Sequence, residues 1–269
     1  MGRLISMATH GCSDRAIKIA GQFIGALSSV QSEAALRRLM GDVTRDMNFR
    51  HFALITHEDL RLRLPGQVDI RDYPEGIADR IIGQGEFRRD PVMRGCAFAD
   101  SAFIWSDLHR LIVLNRRDLK SLQFGLQEGL DEGVTVPCYK LGQCLGSCTF
   151  AGRRKPFPAE RALGVAQMIG IFAFQRARQL VGGDQTPAPP PRLNPRPRDC
   201  IVLAGRGLTN KQIARSLGLA PRTVDGYLTD ARRLFGVTDR MELVTAAIFA
   251  GEIGLHEIRK NQSRAFALG

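Results

Sequence analysis

The sequence predicts an α+β protein: an α/β/α sandwich around one antiparallel sheet, followed by an all-α domain of four helices. Two observations support this prediction. Up to Val181, apolar residues alternate between helical spacing and short β-prone runs, in the order helix, strands, helices, strands, helix. After a proline-rich stretch only helical spacing remains, and two short helices around Gly218 have the pattern of a helix-turn-helix.

Composition divides the 269 residues into two domains, a number that this length allows. Gly182–Pro191 contains four prolines and no apolar periodicity, so we interpret it as a linker, part flexible and part polyproline-like. The predicted segments are a loose N-terminus over 1–15, a first domain over 16–181, a linker over 182–192, a second domain over 193–255 and a flexible tail over 256–269.

In the first domain, helical spacing from Ala16 to Met47 is followed by a β-prone run, Phe49–His57. A further helix is expected over Tyr73–Gly85. Gly133–Cys138 and Leu145–Phe150 read as two strands of a hairpin, because Gly142 and Gln143 turn the chain between them. The predicted helices after these points are Leu119–Leu130 and Glu160–Val181.

The net charge of +11 and the pI near 10 favour a polyanionic partner, either nucleic acid or an anionic membrane. A basic but inert surface is the alternative. No run approaches 18 apolar residues, so no transmembrane helix is expected. Asp14, Arg15 and Lys18 interrupt any apolar core of a signal peptide. The expected location is therefore cytoplasmic.

The six cysteines have spacings unlike those of a zinc site, and no histidine lies near the cluster from Cys138 to Cys148. We expect reduced thiols, no metal and no cofactor. No nucleophile elbow or phosphate loop is present, so no enzyme activity is predicted. The alternative function, from a different functional class, is that of an enzyme that carries a DNA-binding module. It is considered because His51 and His57 lie near acidic residues.

The second domain contains the helix-turn-helix pattern. Ile213 and Leu217 lie on one helix face, Gly218 ends that helix, and Pro221 suits the first turn of the next. The second helix has one apolar face, and its other side is polar and mainly basic, as a DNA groove requires. The apolar face is Val224, Tyr227, Leu228, Ala231 and Leu234; the polar side is Arg222, Thr223, Asp225, Thr229, Arg232 and Arg233.

Leu193–Leu255 resembles the DNA-binding domain of the LuxR family of bacterial transcription regulators. Two positions depart from the family pattern: Pro197 stands where Glu is usual, and Ile201 where Leu is usual. The first change removes a carboxylate from the start of a helix and shifts where that helix is expected to begin. The resemblance depends on Leu193, Pro195, Arg196, Gly207, Asn210, Lys211, Ile213, Ala214, Leu217, Gly218, Thr223, Val224, Leu228, Gly236 and Val237.

The first domain resembles the autoinducer-binding domain of the same family, and the spacing between Asp90, Trp105 and Gly133 fits without gaps. Together the two resemblances cover nearly the whole chain. The matching residues are Tyr73, Phe87, Arg88, Arg89, Asp90, Pro91, Val92, Trp105, Ser106, Asp107, Leu108, Gly125, Leu126, Gly129 and Gly133–Pro137.

The resemblance implies a pocket for a small signal, an N-acyl-homoserine lactone or a related molecule. Asp90 would accept the amide N–H of the ligand, and the Trp105 indole, which is donor only, would serve the lactone carbonyl. Tyr73 and Thr149 would reach the amide carbonyl, and Gly133 would shape the backbone. Each residue has a plainer interpretation: Asp90 is a turn former before Pro91, and Trp105 is a core aromatic.

Ile77 and Ile81 depart from the family, whose lactone receptors usually carry Trp and Tyr at these positions, one helical turn apart. Two isoleucines leave more room and remove one hydroxyl. We therefore expect a pocket adapted to a bulkier or different ligand. The alternative is that a neighbouring side chain fills the space and an ordinary lactone still binds.

The predicted DNA-binding set is Lys211, Arg222, Thr223, Asp225, Thr229, Arg232 and Arg233. The basic members are expected to contact phosphates, which supplies affinity rather than sequence choice. By the family pattern, Asp225 and Thr229 face the bases. Pairing of Asp225 with Arg222 or Thr229 is one alternative, and a solvated helix face is the alternative for the arginines.

The last predicted helix, Met241–Ile253, has a wide apolar face, and the family uses this helix for dimerisation. The resemblance thus implies a homodimer on a palindromic operator of double-stranded DNA, with RNA polymerase as a further partner and no membrane. Ligand occupancy would stabilise the dimer. A regulator of the same architecture that has lost ligand dependence is the nearest alternative.

Overall fold

A five-stranded antiparallel sheet is the centre of the N-terminal part of the molecule. The computed structural model describes residues 10–62, 64–80, 89–140, 143–155, 158–182 and 191–259. The chain divides into two units, Met1–Gln185 and Thr186–Gly269. The strand order is β2-β1-β5-β4-β3. The strands are β1 (Phe49–Thr56), β2 (Asp69–Arg71), β3 (Phe103–Ile104), β4 (Gly133–Lys140) and β5 (Gln143–Arg153).

One face of this sheet packs on three helices, namely α1 (His10–Leu27), α2 (Glu33–Asp46) and α7 (Leu163–Gly182). The side chains that alternate onto this face are apolar and buried, and they form one continuous core with the helices. Phe49 and Phe150 lie in that core with ring centroids 6.3 Å apart.

The opposite face is covered by four shorter helices, and a cavity lies between them and the sheet. An ion pair of 2.8 Å between Arg94 and buried Asp118 ties two of these helices together. They are α3 (Glu75–Ala78), α4 (Pro91–Cys96), α5 (Leu108–Leu111) and α6 (Arg116–Gln127). The predicted α/β/α sandwich around an antiparallel sheet is therefore confirmed.

The second unit consists of helices, and the prediction of an all-α domain is confirmed. Its helices are α8 (Pro195–Gly205), α9 (Asn210–Leu217), α10 (Pro221–Phe235), α11 (Arg240–Phe249) and α12 (Leu255–Ile258). Four of them correspond to the predicted bundle, and α12 is an additional single turn. They enclose a core of their own around Ile201, Ile213, Val224 and Leu243.

The turn between α9 and α10 has the predicted chemistry. Thr209 and Gln212 form a capping box at the start of α9, and Gly218 ends it with a left-handed backbone, φ 66°. Pro221 occupies the first turn of α10. At α8, Pro195 and Pro197 both lie in the first turn, where the N–H groups have no acceptor within the helix. Pro197 is thus accommodated, with α8 beginning at Pro195.

Three predicted boundaries are wrong. The sequence predicts a loose N-terminus over 1–15, but α1 already begins at His10, because no proline stops it from extending backwards. It also predicts a flexible tail over 256–269, yet α12 extends into it and Glu257 pairs with Arg198 at 2.8 Å. The last long helix ends at Phe249 rather than at Ile253, and Gly251 turns the chain with φ 75°.

Within the described residues no helix is long and apolar enough to cross a membrane. The same part of the chain contains no group of three or more potential ligands that could hold a metal ion. Four of the cysteines, Cys96, Cys138, Cys148 and Cys200, are buried and form no disulfide.

Candidate functional site

A chain of hydrogen-bonded side chains crosses the sheet face that carries the cavity. The Trp105 indole Nε1–H donates to Thr135 Oγ1 over 2.9 Å. Thr135 Oγ1 lies 3.0 Å from Thr149 Oγ1. Thr149 is close enough to the Tyr73 hydroxyl to influence its pKa. Thr135 and Thr149 face each other across β4 and β5, which places them on one sheet face. The strand pairing thus brings together three of the predicted ligand residues.

One donor in this chain is fixed, because an indole can only donate a hydrogen bond and Thr135 therefore accepts from Trp105. Either threonine hydroxyl can donate in the contact between Thr135 and Thr149. Burial and the neighbouring charge of Asp90 raise the pKa of the Tyr73 hydroxyl. Tyr73 therefore stays protonated, and its hydroxyl borders the cavity.

Asp90 is held at the start of α4. Its Oδ1 accepts from the backbone N–H groups of Val92 and Met93, at 2.9 and 3.1 Å. Among the described residues no hydrogen bond to Oδ2 is present, and Asp90 lines the cavity. Burial raises the pKa of the Asp90 carboxyl, although both backbone N–H groups oppose that shift. The carboxylate is thus both a helix cap and an acceptor that borders the cavity.

Trp105 is positioned by two features that flank it. Glu132 Oε1 accepts from the backbone N–H groups of Trp105, Ser106 and Gly133, at 3.1, 3.3 and 3.0 Å. The indole lies directly over Gly133, where an added Cβ would stand 2.5 Å from Trp105 Cε2. Gly133 therefore leaves space for the indole, whereas the sequence predicted that it would shape the backbone.

The cavity has a volume of about 60 Å³. This is room for a few water molecules and is far below the roughly 300–1,000 Å³ of a pocket for a drug-sized ligand. Buried Ile77 forms part of its wall, whereas Ile81 lies outside the described residues. An acyl chain would therefore have to displace part of the wall or extend past its described portion.

Arg80 and Ser147 also line the cavity, and neither was predicted. The Arg80 guanidinium carbon lies 4.6 Å from the centroid of the Phe124 ring. Ser147 Oγ lies 3.0 Å from His57 Nε2. The sequence offered one signal for this sheet face, namely a polar residue within an otherwise apolar strand. Thr135 within Gly133–Cys138 is an example. Arg80 offered no such signal, because its contact with Phe124 exists only in the fold.

In the second unit, the predicted DNA-binding residues fall into two groups. Lys211 on α9 and Arg222 at the start of α10 are exposed, and among the described residues neither has a hydrogen-bond or ion-pair partner. Arg233 is exposed as well, with a 3.5 Å contact to Asp230. Thr223 is half-buried beside them.

The other group is held by neighbouring residues. Arg232 donates to Thr229 Oγ1 over 2.9 Å and to the Thr238 carbonyl over 3.4 Å. These hydrogen bonds hold the Arg232 guanidinium within the protein, so it is less available for contact with a DNA phosphate. Exposed Asp225 accepts from the Asn210 amide over 3.1 Å, so the alternative of pairing with Arg222 or Thr229 is wrong.

Asn210 links the two helices of the motif to α11. Its Oδ1 accepts from Arg240 over 2.8 Å, and Arg240 also donates to the Leu208 carbonyl. Burial lowers the pKa of Arg240, and the nearby Arg232 adds to that effect. This arrangement fixes α9 against α10, so the two helices present Lys211 and Arg222 in a defined geometry.

Two family models match the chain. Residues 32–177 match the autoinducer binding domain, and residues 191–247 match the bacterial regulatory proteins of the luxR family. The first match covers more than half of the chain.

Curated relatives have the same organisation. Transcriptional activator protein BjaR1 of Bradyrhizobium diazoefficiens is 26% identical over 186 residues, covering 69% of this chain and 76% of that protein. Transcriptional activator protein SolR of Ralstonia nicotianae is 23% identical over 232 residues, covering 85% and 96%.

Among solved structures, Escherichia coli SdiA matches with a TM-score of 0.58 and 15% identity, covering 91% of this chain and 99% of that one. SdiA in complex with octanoyl-rac-glycerol matches with a TM-score of 0.57 and 14% identity, covering 94% and 100%. These likenesses show the shared fold. The chain therefore belongs to the LuxR family of bacterial regulatory proteins that carry an autoinducer-binding domain.

Proposed function

We propose that this LuxR-family regulator acts in the cytoplasm and binds an acylated small-molecule signal in the cavity bordered by Asp90, Tyr73 and Trp105. The signal is an N-acyl-homoserine lactone or a related molecule. Occupancy of the cavity favours the DNA-binding form, because a ligand that prefers one state shifts the population toward it. No catalytic step is required.

The observation that supports this function best is the hydrogen-bonded chain of Trp105, Thr135 and Thr149, with the Tyr73 hydroxyl near Thr149. Polar groups on an otherwise apolar, buried face cost free energy unless they are hydrogen-bonded. Here the Tyr73 hydroxyl lies near the Asp90 carboxylate, at the cavity. One donor next to one acceptor matches the carbonyl and the N–H of a single amide group.

A ligand with more bulk near this amide is part of the proposal, because Ile77 is smaller than the aromatic residue that the family usually carries there. Such a ligand would have to displace part of the wall of the 60 Å³ cavity. SdiA has been solved with octanoyl-rac-glycerol, which supports including acylated molecules other than lactones. Ile81 is part of the same proposal, although it lies outside the described residues.

On the output side, we propose that two copies of the chain bind a palindromic operator and contact RNA polymerase. Support for self-association comes from exposed apolar side chains on regular helices. Met168, Ile171 and Phe172 are exposed at three- and four-residue spacing on α7, and Met241 and Phe249 are exposed on α11.

The DNA contacts are proposed to come from Lys211, Arg222, Thr223, Asp225, Thr229 and Arg233, with Arg232 supporting Thr229. Replacing Lys211 or Arg222 by Met should reduce the slope of log K against log salt by about 1 each, because each removes one phosphate contact. Arg259→Met is the matched control, because it removes an exposed positive charge outside the two helices of the motif. An unchanged salt slope in both Lys211→Met and Arg222→Met would contradict the proposed DNA surface.

The ligand is tested by mass spectrometry of small molecules extracted from the purified full-length chain. We expect an acylated molecule at near one equivalent, and readdition to stripped protein should change the emission of Trp105, the only tryptophan. A protein that carries no small molecule and binds its operator equally well without one would favour the ligand-independent alternative.

One observation favours a second function. The 3.0 Å contact between Ser147 Oγ and His57 Nε2 has the geometry of a nucleophile and its base, in a cavity proposed to hold a lactone. A lactone-opening assay of the purified chain, with Ser147→Ala as control, tests this activity. Turnover by the wild type that is lost in Ser147→Ala would establish this second function, and equal background rates for both proteins would reject it.

A further inference from the structure

The first unit contains a second concave site, at one end of its helical layer. It lies between α1, the end of α2, the segment after β5 and the turn that leads into α7. Its volume of about 630 Å³ is within the roughly 300–1,000 Å³ of a ligand pocket, and it shares no lining residue with the cavity beside Asp90. We name it the basic cleft, after the cations on its rim, which are Arg15, Arg45, Arg154, Lys155 and Arg161.

The rim of the basic cleft has an excess of positive charge. Its described lining contains these five cations and one acid, Asp46. Arg45 forms an ion pair with exposed Asp42, which partly neutralises its charge. The other four cations are exposed, and among the described residues their side chains have no hydrogen-bond or ion-pair partner. Charges of one sign in a concave site reinforce each other, so the basic cleft attracts an anion.

Asn48 fixes two of these cations at the rim. It lines the basic cleft with a left-handed backbone, φ 68°, and it is the one non-glycine residue with positive φ in the described part of the chain. Its carbonyl accepts from the Arg154 backbone N–H over 2.9 Å, and its Nδ2 donates to the Lys155 carbonyl over 3.0 Å. These bonds hold the backbone that carries both positive charges, which is the kind of arrangement that justifies an unusual backbone conformation at a binding site.

The floor of the basic cleft is apolar. Met47, Ala162 and Val165 are buried there, and Ile19 is half-buried beside them. Hydrocarbon or an aromatic ring that covers this floor gains free energy, because apolar surface is removed from water. The cleft therefore combines donors for an anion with a surface for an apolar group.

The apolar floor distinguishes between the anions that a basic surface can attract. Inorganic phosphate would contact the rim alone. Duplex DNA presents its phosphates on a polar backbone, which has no apolar group to place against the floor. A small molecule with phosphates at one end and an apolar or aromatic group at the other uses both parts of the cleft.

We propose that the basic cleft binds a small molecule in which two or more phosphate groups are joined to an aromatic or apolar group, the chemistry of a nucleoside polyphosphate. Its phosphates accept charge-assisted hydrogen bonds from Arg154, Lys155 and Arg161, and its base covers the floor. This site is separate from the cavity of the proposed signal and does not depend on that function.

The test is a calorimetric titration of the full-length chain with ATP, GTP, tripolyphosphate and adenosine. Each probe is measured on the wild type, Arg154→Met and Arg161→Met. Arg178→Met is the matched control, because it removes an exposed charge on α7 outside the lining of the basic cleft. Lys211→Met reports whether a nucleotide binds instead at the proposed DNA surface.

We expect at least one of the two nucleotides to bind the wild type at one equivalent. Arg154→Met and Arg161→Met should each weaken this binding by at least about tenfold, whereas Arg178→Met and Lys211→Met should leave it unchanged. Tripolyphosphate should bind more weakly than the nucleotide, because it leaves the floor uncovered, and adenosine should bind most weakly. Far-ultraviolet circular dichroism confirms that each variant is folded.

Three results would overturn the proposal. The first is that neither ATP nor GTP binds the folded wild type. The second is nucleotide binding that Lys211→Met abolishes and both cleft variants retain, which would place the nucleotide on the DNA surface. The third is unchanged nucleotide affinity in both cleft variants together with a smaller salt slope of operator binding, which would show that the cleft contacts DNA.

Discussion

The two faces of the sheet are built from the same strands but differ in chemistry. On one face, Phe150 packs in a continuous apolar core with α1, α2 and α7. On the other, its neighbour Thr149 takes part in a hydrogen-bonded chain beside a cavity. One residue step along β5 therefore separates a position that holds the fold from a position proposed to hold a ligand.

Stability and recognition can therefore be changed separately in this unit. Side chains of the core face contribute through burial of apolar area, whereas those of the cavity face contribute through a few directed hydrogen bonds. Substitutions on the two faces should accordingly give different patterns of unfolding and binding.

The largest effect is expected for Phe150→Ala. Removing this fully buried ring leaves a cavity, and the free energy of unfolding should fall by about 3–5 kcal/mol. Thr149→Val on the other face should cost on the order of 1 kcal/mol but weaken ligand binding. Urea unfolding of the full-length variants checks both values, and equal losses would remove the distinction between the faces.

Gly133→Ala should have the next largest effect. Its Cβ would stand 2.5 Å from Trp105, so the indole must move, at a cost of about 1–3 kcal/mol. The emission of Trp105 should shift as well. Gly125→Ala is the matched control at the same cavity, because its Cβ would meet Leu130 at an ordinary 3.9 Å. An unshifted emission in Gly133→Ala would contradict the packing described for Trp105.

Thr135→Val should cost about 1 kcal/mol of stability, because the Trp105 indole loses its acceptor. The hydrogen bond to Thr149 is also lost, so ligand affinity should fall, whereas Thr135→Ser should retain most of it. Urea unfolding gives the stability, and ligand titration followed by Trp105 emission gives the affinity. Wild-type affinity in Thr135→Val would show that this threonine does not position the site.

The contribution of Asp90 to folding stability should depend on pH with the opposite sign to that of an ordinary paired carboxylate. Burial raises the pKa of the Asp90 carboxyl in the folded state above the ordinary 3.8. The folded state therefore binds the proton more tightly than the unfolded state does. The stability that comes from this difference is lost as pH rises from 3.8. Asp90→Asn keeps a capping oxygen and removes this loss. Its stability relative to wild type should therefore increase with pH, by about 1.4 kcal/mol for each tenfold difference in proton affinity between the folded and unfolded carboxyl.

Asp131 is the matched control for this experiment. Burial opposes its ionisation, but hydrogen bonds from the backbone and guanidinium of Arg153 outweigh burial and lower the Asp131 pKa. Its stabilisation is present above the ordinary pKa and lost as pH falls. Asp131→Asn should therefore become less stable relative to wild type as pH rises. Plots of unfolding free energy against pH with the same slope for both variants would contradict the assignment.

Much of the fold could be predicted from local pattern. Short β-prone runs located β1, β4 and β5, and Gly218 and Pro221 marked the turn of the DNA-binding motif. The short strands β2 and β3 were not predicted. The ends of α1 and of the C-terminal region could not be predicted. The start of α1 could not be predicted because the sequence contains no clear signal for where that helix begins. The C-terminal region could not be predicted because its order depends on the long-range ion pair between Arg198 and Glu257.

The candidate site was predictable only in part. Asp90, Trp105 and Thr149 were found through their spacing and resemblance, and the structure places them around one cavity. Thr135 and Arg80 were missed, because their relevance depends on strand register and on a contact between distant helices. Neither relation is visible in a single stretch of sequence.

Control of DNA binding by the cavity face is tested most directly by the operator affinity of the same protein with and without its signal. The DNA is a fragment selected from genomic DNA by the ligand-bound chain, and the salt concentration is fixed. We expect removal of the signal to weaken binding by about 5–150-fold, and readdition to restore it. Equal affinity of the stripped and the loaded protein would contradict a function in which the cavity face controls DNA binding.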